Sequence, residues 1–279
     1  MIHFFPSRAI ALSVGALEIH WYGIMYLLGF LIGMWLLPRL LRFRKLDLPP
    51  ALRESLLLSV FLGVVLGGRL GFVLFYGGSY YIHRPLEILA VWHGGMSSHG
   101  GFIGVAIALI LFTRRHRIDL FSLLDVLVIP IALGLALGRL GNFINGELYG
   151  TVTTLPWAMS FPQAEGLRHP VQLYAVLKDL LIAFVCFLHL RSTASHSVSS
   201  LPQGERGRGG GGTSALFLVM YAVLRFTLEI FREQPYGTVS VFGVLLSRGQ
   251  LLTIPLFVAG IGICFLRSHA SCSSMLPEQ

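Results

Sequence analysis

Apolar residues run along this chain in seven stretches, at residues 20–37, 55–76, 96–113, 120–137, 171–190, 214–231 and 250–266. Each approaches the roughly 20 residues that a helix needs to cross a bilayer. The polar residues between them are unevenly shared. Arg39, Arg42, Arg44, Lys45 and Arg53 follow the first run, Arg114, Arg115 and Arg117 the third, Arg191, Arg206 and Arg208 the fifth, and Arg267 the seventh. The alternate connections hold only Arg8, Arg84, Arg139, Arg168, Arg232 and Arg248. Cytoplasmic loops keep the excess of Lys and Arg, so the pattern predicts an all-α membrane protein. It has seven transmembrane helices, an external N-terminus, a cytoplasmic C-terminus and short external interfacial segments.

The first run lacks a basic leader and a small-residue cleavage site, so it stays as a helix and is not a signal peptide. Residues 79–93 include Pro85-Leu86-Glu87-Ile88-Leu89-Ala90-Val91-Trp92, too short to span and suited to an external interfacial helix. Residues 151–169 form the other sizeable external segment. Residues 192–213, with Ser199-Ser200 and four glycines at 209–212, read as a flexible cytoplasmic linker. The chain is thus expected to form one polytopic membrane domain over residues 1–279. It contains no internal repeat, which counts against transporter architectures built from duplicated halves.

Composition agrees: 54% of the 279 residues are hydrophobic, 12% are charged, and the mean hydropathy is +0.74. The 32 glycines suit helices that pack backbone to backbone in lipid. A net charge of +8 would fit a nucleic-acid partner, but the basic residues fall in the short clusters that set topology, and none is expected. Cys186 and Cys264 lie in apolar runs and Cys272 in the tail. No pair has metal-ligand spacing or an external place for a disulfide, and no Ser elbow or paired-His zinc motif occurs.

Chemistry concentrates after the fourth run. Residues 138–150 read Gly-Arg-Leu-Gly-Asn-Phe-Ile-Asn-Gly-Glu-Leu-Tyr-Gly, which places Arg139, Asn142, Asn145 and Glu147 among four glycines. Charges at membrane depth are costly and so are functional candidates, and glycines permit non-helical backbone where a cavity covers it. In the sixth run Tyr221, Arg225 and Glu229 recur every fourth residue, hence on one helix face. At about 1.5 Å per residue Arg225 lies about 15 Å from the cytoplasmic end, Arg69 and His99 about 21 Å, and Arg139 about a turn higher. Several cations near the outer headgroup level suit an anionic phosphate, which the planar fork of Arg grips with paired hydrogen bonds. His99 adds a group able to accept a proton near neutral pH, and Gly100 and Gly101 after it allow close approach of a helix or a substrate.

The 138–150 block resembles the phosphatidylglycerol–prolipoprotein diacylglyceryl transferase family of bacterial inner membranes. So do Met96-Ser-Ser-His99-Gly100-Gly101, Trp21-Tyr22-Gly23, Gly67-Gly68-Arg69, Arg168-His169-Pro170-x-Gln172-Leu-Tyr174 and Tyr221-x3-Arg225-x3-Glu229-x2-Arg232, in order from about residue 15 to 266. The resemblance implies transfer of the diacylglyceryl group of phosphatidylglycerol to the lipobox cysteine thiol of a preprolipoprotein, at a site toward the outer leaflet. Glycerol phosphate leaves. The protein substrate then supplies the nucleophile, and neither metal nor cofactor is needed. By motif position Arg139 and Arg225 hold the phosphate and His99 is the proposed base. Tyr22, Asn142, Glu147, Gly150, Tyr221 and Glu229 also match positions important in the family. Arg69, Asn145, Gly100 and Gly101 complete the expected substrate-binding set.

The chain departs from the family at His93 and Ala175, where relatives commonly carry an acid, and its 151–169 segment is shorter than in some. A passive anion channel would use the same buried arginines, but it needs a polar path to the cytoplasm. The third run below Gly104 reads Val-Ala-Ile-Ala-Leu-Ile-Leu-Phe and the fourth is apolar from Leu127 to Leu137 apart from Pro and Gly, which seals that side. A purely structural scaffold leaves the polar cluster without a task. If the basic clusters set orientation, a cysteine at Arg115 is shielded from a membrane-impermeant thiol reagent in intact cells and one at Ser79 reacts; the reverse labelling would invert the topology.

Overall fold

The structure, a computed structural model, describes residues 9–14, 17–75, 78–90, 94–196, 210–234, 237–241 and 243–273. Trp92, His93 and most of the expected linker lie outside the described residues. Two compact units divide the chain. Leu46–Leu120 form one, and Met1–Lys45 with Phe121–Gln279 form the other.

In the Leu46–Leu120 unit the long helices α2 (Pro50–Phe75) and α4 (Ser98–His116) flank a short helix α3 (Gly78–His83) and a 3-10 turn, Pro85–Leu89. The interfacial helix expected over 79–93 is therefore two short pieces, because Pro85 cannot continue the hydrogen bonding of α3. Glycines at fourfold spacing explain the packing of α2 on α4. A Cβ on Gly104 would lie 2.1 Å from the Gly63 carbonyl oxygen, and one on Gly100 would lie 2.3 Å from that of Gly67. The two backbones touch where any side chain would hold them apart. Ser97 caps α4, its Oγ accepting from Gly100 N at 3.2 Å.

The larger unit holds α1 (Trp21–Phe43), α5 (Leu120–Asn145), α6 (Val171–His196), α7 (Gly212–Leu228) and α8 (Arg248–Ser273). Its centre is α5. Leu123, Val126 and Ala132 on it are fully buried, and α1 meets it through Gly29 and Gly33, opposite Gly134 and Pro130. Two antiparallel hairpins also appear, β1 (Ile10–Val14) with β2 (Leu17–His20) and β3 (Thr238–Val241) with β4 (Val244–Ser247). They are short additions to a mostly helical fold consistent with the all-α expectation: a search for 20-residue apolar runs passes over strands of four or five residues whose pattern has a period of two.

Among the described residues six helical stretches are long and apolar enough to cross a membrane: Trp21–Phe43, Pro50–Phe75, Leu120–Asn145, Val171–Ala194, Gly212–Phe231 and Arg248–Leu266. The seventh expected span is α4, a 19-residue helix whose ends carry His99 and Arg114-Arg115-His116 and are too polar for that count.

The expected linker is also shorter than its composition suggests. Residues 192–196 continue α6, and Gly210 and Gly211 are buried. Asp125 on α5, fully buried, accepts hydrogen bonds from Gly211 N at 2.6 Å and Ser214 N at 2.7 Å. It thus satisfies the unpaired N–H groups at the start of α7 and meets the positive end of that helix dipole. Arg44 at the end of α1 pairs with the same carboxylate at 2.6 Å. Three helices thereby meet at one acid.

The glycine contacts generate a prediction. Gly104→Ala forces α2 and α4 apart at a cost of about 1–3 kcal/mol, whereas a Cβ on Gly134 meets nothing within 4 Å. Thermal unfolding in detergent should show a lower midpoint for Gly104→Ala and little change for Gly134→Ala; equal midpoints would contradict the backbone contact.

Candidate active site

The fourth apolar run does not end at 137. α5 continues as regular helix to Asn145, and non-helical backbone begins at Gly146, where φ is +74°. Gly146 N bonds to Phe143 O and Glu147 N to Asn142 O, the left-handed glycine stop that reverses a chain at a helix end. The reversal turns the Glu147 side chain back onto α5. Asn142 Nδ2 donates to Glu147 Oε1 at 2.7 Å, and Arg139 Nη1 donates to Asn142 Oδ1 at 3.4 Å. The three polar residues of the motif form one relay that ends on the guanidinium. Asn145 stands apart, its buried Oδ1 without a hydrogen-bond partner among the described residues. Gly150 lies where a Cβ would come within 2.7 Å of Phe231 O, His169 and Val171. Only glycine fits there.

α7 presents Tyr221 and Arg225 one turn apart, and Glu229 follows in a 3-10 turn, Glu229–Phe231. Arg225 Nη1 lies 2.5 Å from Glu229 Oε2, and Arg232 Nη1 lies 3.7 Å from Oε1. The Glu229 side chain is 3% exposed. Gln234 Nε2 donates to the same carboxylate at 3.3 Å, and α8 closes over it at Gly249, where a Cβ would come 2.4 Å from Glu229 Oε1.

The third wall is α6, which starts after His169-Pro170. Val171, Gln172, Ala175 and Lys178 recur at helical spacing on one face. Gln172 Nε2 donates to the Glu147 carbonyl at 2.7 Å, tying this wall to the reversal after α5. His169 Nδ1 lies 3.2 Å from Tyr174 Oη, which accepts from Trp157 Nε1 at 2.7 Å, and burial holds the imidazole pKa below its ordinary value.

These walls enclose a narrow cleft lined by Arg139, Leu148, Val171, Gln172, Ala175, Lys178, Arg225, Leu228 and Arg232. Four cations reach it. The carboxylates paired with them are Asp179, beside Lys178, and Glu229, so the lining keeps an excess of positive charge. Of the expected site residues, Arg139 and Arg225 line this cleft, Asn142, Glu147 and Glu229 hold those arginines, and Tyr221 faces Lys178. Tyr22 on α1 packs its ring 2.9 Å from a Cβ position on Gly141, and its hydroxyl accepts from Tyr26 Oη at 3.2 Å.

Arg69, His99, Gly100 and Gly101 belong to the Leu46–Leu120 unit. Arg69, expected at the phosphate, is 4% exposed and gives its donors to the carbonyls of Ile88 (2.9 Å), Gly94 (2.5 Å), Gly95 (3.1 Å) and Glu87 (2.6 Å). Here its charge organises the segment leading into α4. Gly100 faces the α2 backbone, and a Cβ on Gly101 would lie in ordinary contact with Val64 O at 3.6 Å. His99 is exposed in the first turn of α4. Among the departures, Ala175 lines the cleft.

Two cleft-side charges escape the motif reading, Lys178 and Asp179. They stand in the middle of an apolar run, and a charge at that depth is itself the signal that would have found them. Arg232 and Gln172 sit inside recognised motifs without a role assigned by pattern. Among the described residues no group of His, Cys, Asp and Glu could hold a metal ion.

Helices of membrane length and a buried cleft with surplus cations define a multi-pass membrane protein with a potential ready for an anion. Residues 9–266 match the prolipoprotein diacylglyceryl transferase family, and the chain belongs to it, a family of transferases. It is 44% identical to the phosphatidylglycerol–prolipoprotein diacylglyceryl transferase of Bordetella parapertussis, over 94% of this chain and 96% of the relative. The enzyme of the same name from Nitrosomonas europaea is 41% identical over 92% of this chain and 88% of its own, and that from Geobacter sulfurreducens is 40% identical over 92% and 94%.

The Glu229 carboxylate cannot move aside for a new atom on Gly249 without releasing Arg225 and Arg232. Gly249→Ala should therefore lower the thermal midpoint in detergent, and the same substitution in a Glu229→Ala background should cost clearly less. Additive losses would show that Gly249 and Glu229 do not share one constraint.

Proposed function

We propose that the chain transfers the diacylglyceryl group of phosphatidylglycerol to the lipobox cysteine thiol of a preprolipoprotein, releasing glycerol phosphate. The cleft of Arg139 and Arg225, with its surplus of positive charge, carries this reading. The substrate thiolate attacks the glycerol carbon that bears the phosphate, a C–S bond forms, and the C–O bond breaks with its electron pair passing to the phosphate oxygen. Charge develops on the leaving phosphate. Fixed donors in a water-poor site stabilise such charge most effectively.

Arg139 and Arg225 are the proposed phosphate contacts. Asn142 with Glu147 orients the first, and Glu229 the second. Cys186 is buried beside Thr213 and Cys264 is exposed on α8, and neither lines the cleft, in keeping with a nucleophile supplied by the peptide. His99 is the proposed acceptor of the thiol proton, because a neutral imidazole takes a proton near physiological pH. We place the enzyme in the bacterial inner membrane with seven spans, N-terminus outside and C-terminus cytoplasmic, and the site toward the outer leaflet. As the remaining span, α4 would cover about 28 Å, close to the roughly 30 Å hydrocarbon core. The external residues 151–169 are the proposed docking edge for the preprolipoprotein.

Mass spectrometry of a lipobox peptide incubated with purified protein and phosphatidylglycerol tests this directly, the expected product carrying one diacylglyceryl group on its cysteine. Arg139→Lys and Arg225→Lys keep the charge but lose the planar fork, and each should lower turnover by about tenfold or more. His99→Gln should lower it by about 10²–10⁴. An unmodified peptide sinks the proposal. Near-normal rates in both lysine variants would leave only a generic positive potential, and a near-normal His99→Gln would remove the base.

A further inference from the structure

Lys178 and Asp179 pair with each other in the interior of α6, and their side chains are 5% and 2% exposed. Removing two charges from water is expensive, and a buried ion pair offsets that cost when its geometry is good and further hydrogen bonds satisfy both partners. Arg44–Asp125 joins α1 to α5 and to the start of α7. Lys178–Asp179 joins two successive residues of one helix. Among the described residues it reaches another element through the ammonium and the Tyr221 ring on α7.

The position of the ammonium gives the pair a purpose. Lys178 lines the cleft with Arg139 and Arg225, and its Nζ lies 4.1 Å from the centre of the Tyr221 ring, one turn before Arg225 on α7. That distance is a cation–π contact, which steadies a cation without using up its N–H donors. Among the described residues Asp179 is the one hydrogen-bonding partner of the ammonium, which has three donors. One turn earlier on the same face stands Ala175, which also lines the cleft.

We infer that Lys178 is a third phosphate-binding residue, held in reserve by Asp179 and engaged as the headgroup leaves. The inference rests on the transferase reading. Phosphatidylglycerol presents a phosphodiester with one negative charge. When the C–O bond breaks, the electron pair stays on the departing oxygen and the thiol proton goes to the base, so the leaving glycerol phosphate is a monoester. Its second ionisation lies near pH 6, and at neutral pH it tends toward two negative charges. Arg225 is already shared with Glu229. A lysine neutralised by Asp179 in the resting site spares the arginines a third uncompensated charge, and it can turn one donor to the phosphate as the second charge appears.

The test uses the full-length enzyme in phosphatidylglycerol-containing micelles, with glycerol phosphate as the added anion. Lys178→Met should raise the inhibition constant for glycerol phosphate by about tenfold and lower kcat/KM for phosphatidylglycerol by a similar factor, and Lys178→Arg should restore much of both. A merely structural lysine would alter stability and leave anion inhibition unchanged. Because Lys178→Met strands the Asp179 charge, the double variant Lys178→Met/Asp179→Asn removes both charges and should show the same weakened inhibition. Inhibition and kcat/KM within twofold of wild type in either folded variant overturn the inference. Failure of both variants to fold assigns the pair to folding and overturns it too. A wild-type enzyme that transfers nothing refutes the transferase reading instead, a result told apart by the unmodified peptide.

Discussion

One carboxylate holds the cleft in shape. Glu229 receives Arg225 at 2.5 Å, Arg232 at 3.7 Å and the Gln234 amide at 3.3 Å, and the α8 backbone at Gly249 leaves it no room to withdraw. A lone carboxylate buried among apolar helices would be protonated or expelled, whereas this one is fixed by the cations it fixes. The interaction sets the end of α7, the course of the chain after it and the seat of α8. Without it, Arg225 would have neither a defined direction nor compensation for its own burial.

Arg139 is held differently. No acid touches it. Its guanidinium meets the neutral amide of Asn142, and the negative charge of Glu147 acts through that amide at one remove. The two proposed phosphate contacts thus differ in how much of their charge is already spoken for, Arg225 being compensated directly and Arg139 at a distance. A phosphate gains most from the cation whose charge is least cancelled, so in the proposed transfer that asymmetry orients the headgroup along the cleft.

Much of this was legible in the sequence, for reasons that differ from element to element. The long helices follow from apolar length alone, and Tyr221, Arg225 and Glu229 from their fourfold spacing. The course of α5 did not follow: Gly138 and Gly141 suggested broken helix, but Gly141 is a seat for the Tyr22 ring, and only Gly146 breaks the helix. Glycine composition cannot say whether a missing side chain serves a turn or a neighbour. Gly100 shows the same ambiguity, resolved by the α2 backbone. The depth of Arg69 suggests a substrate contact, but it spends its donors on carbonyls, a choice made by loop residues 18 to 26 positions further along the chain. Lys178 and Asp179 lie outside every recognised motif and the hairpins are shorter than a membrane-length window, so pattern alone passes over both.

The Asp125 contact separates two things that a polypeptide usually combines. The start of α7 is located by a carboxylate on α5, while its covalent connection to α6 runs through residues 197–209. Position and connectivity are then independent. The joint can lengthen, shorten or change composition during evolution, and can accept an inserted tag or a break between separately made fragments, without moving Arg225. A change at Asp125 leaves the chain continuous and unseats the helix that carries it.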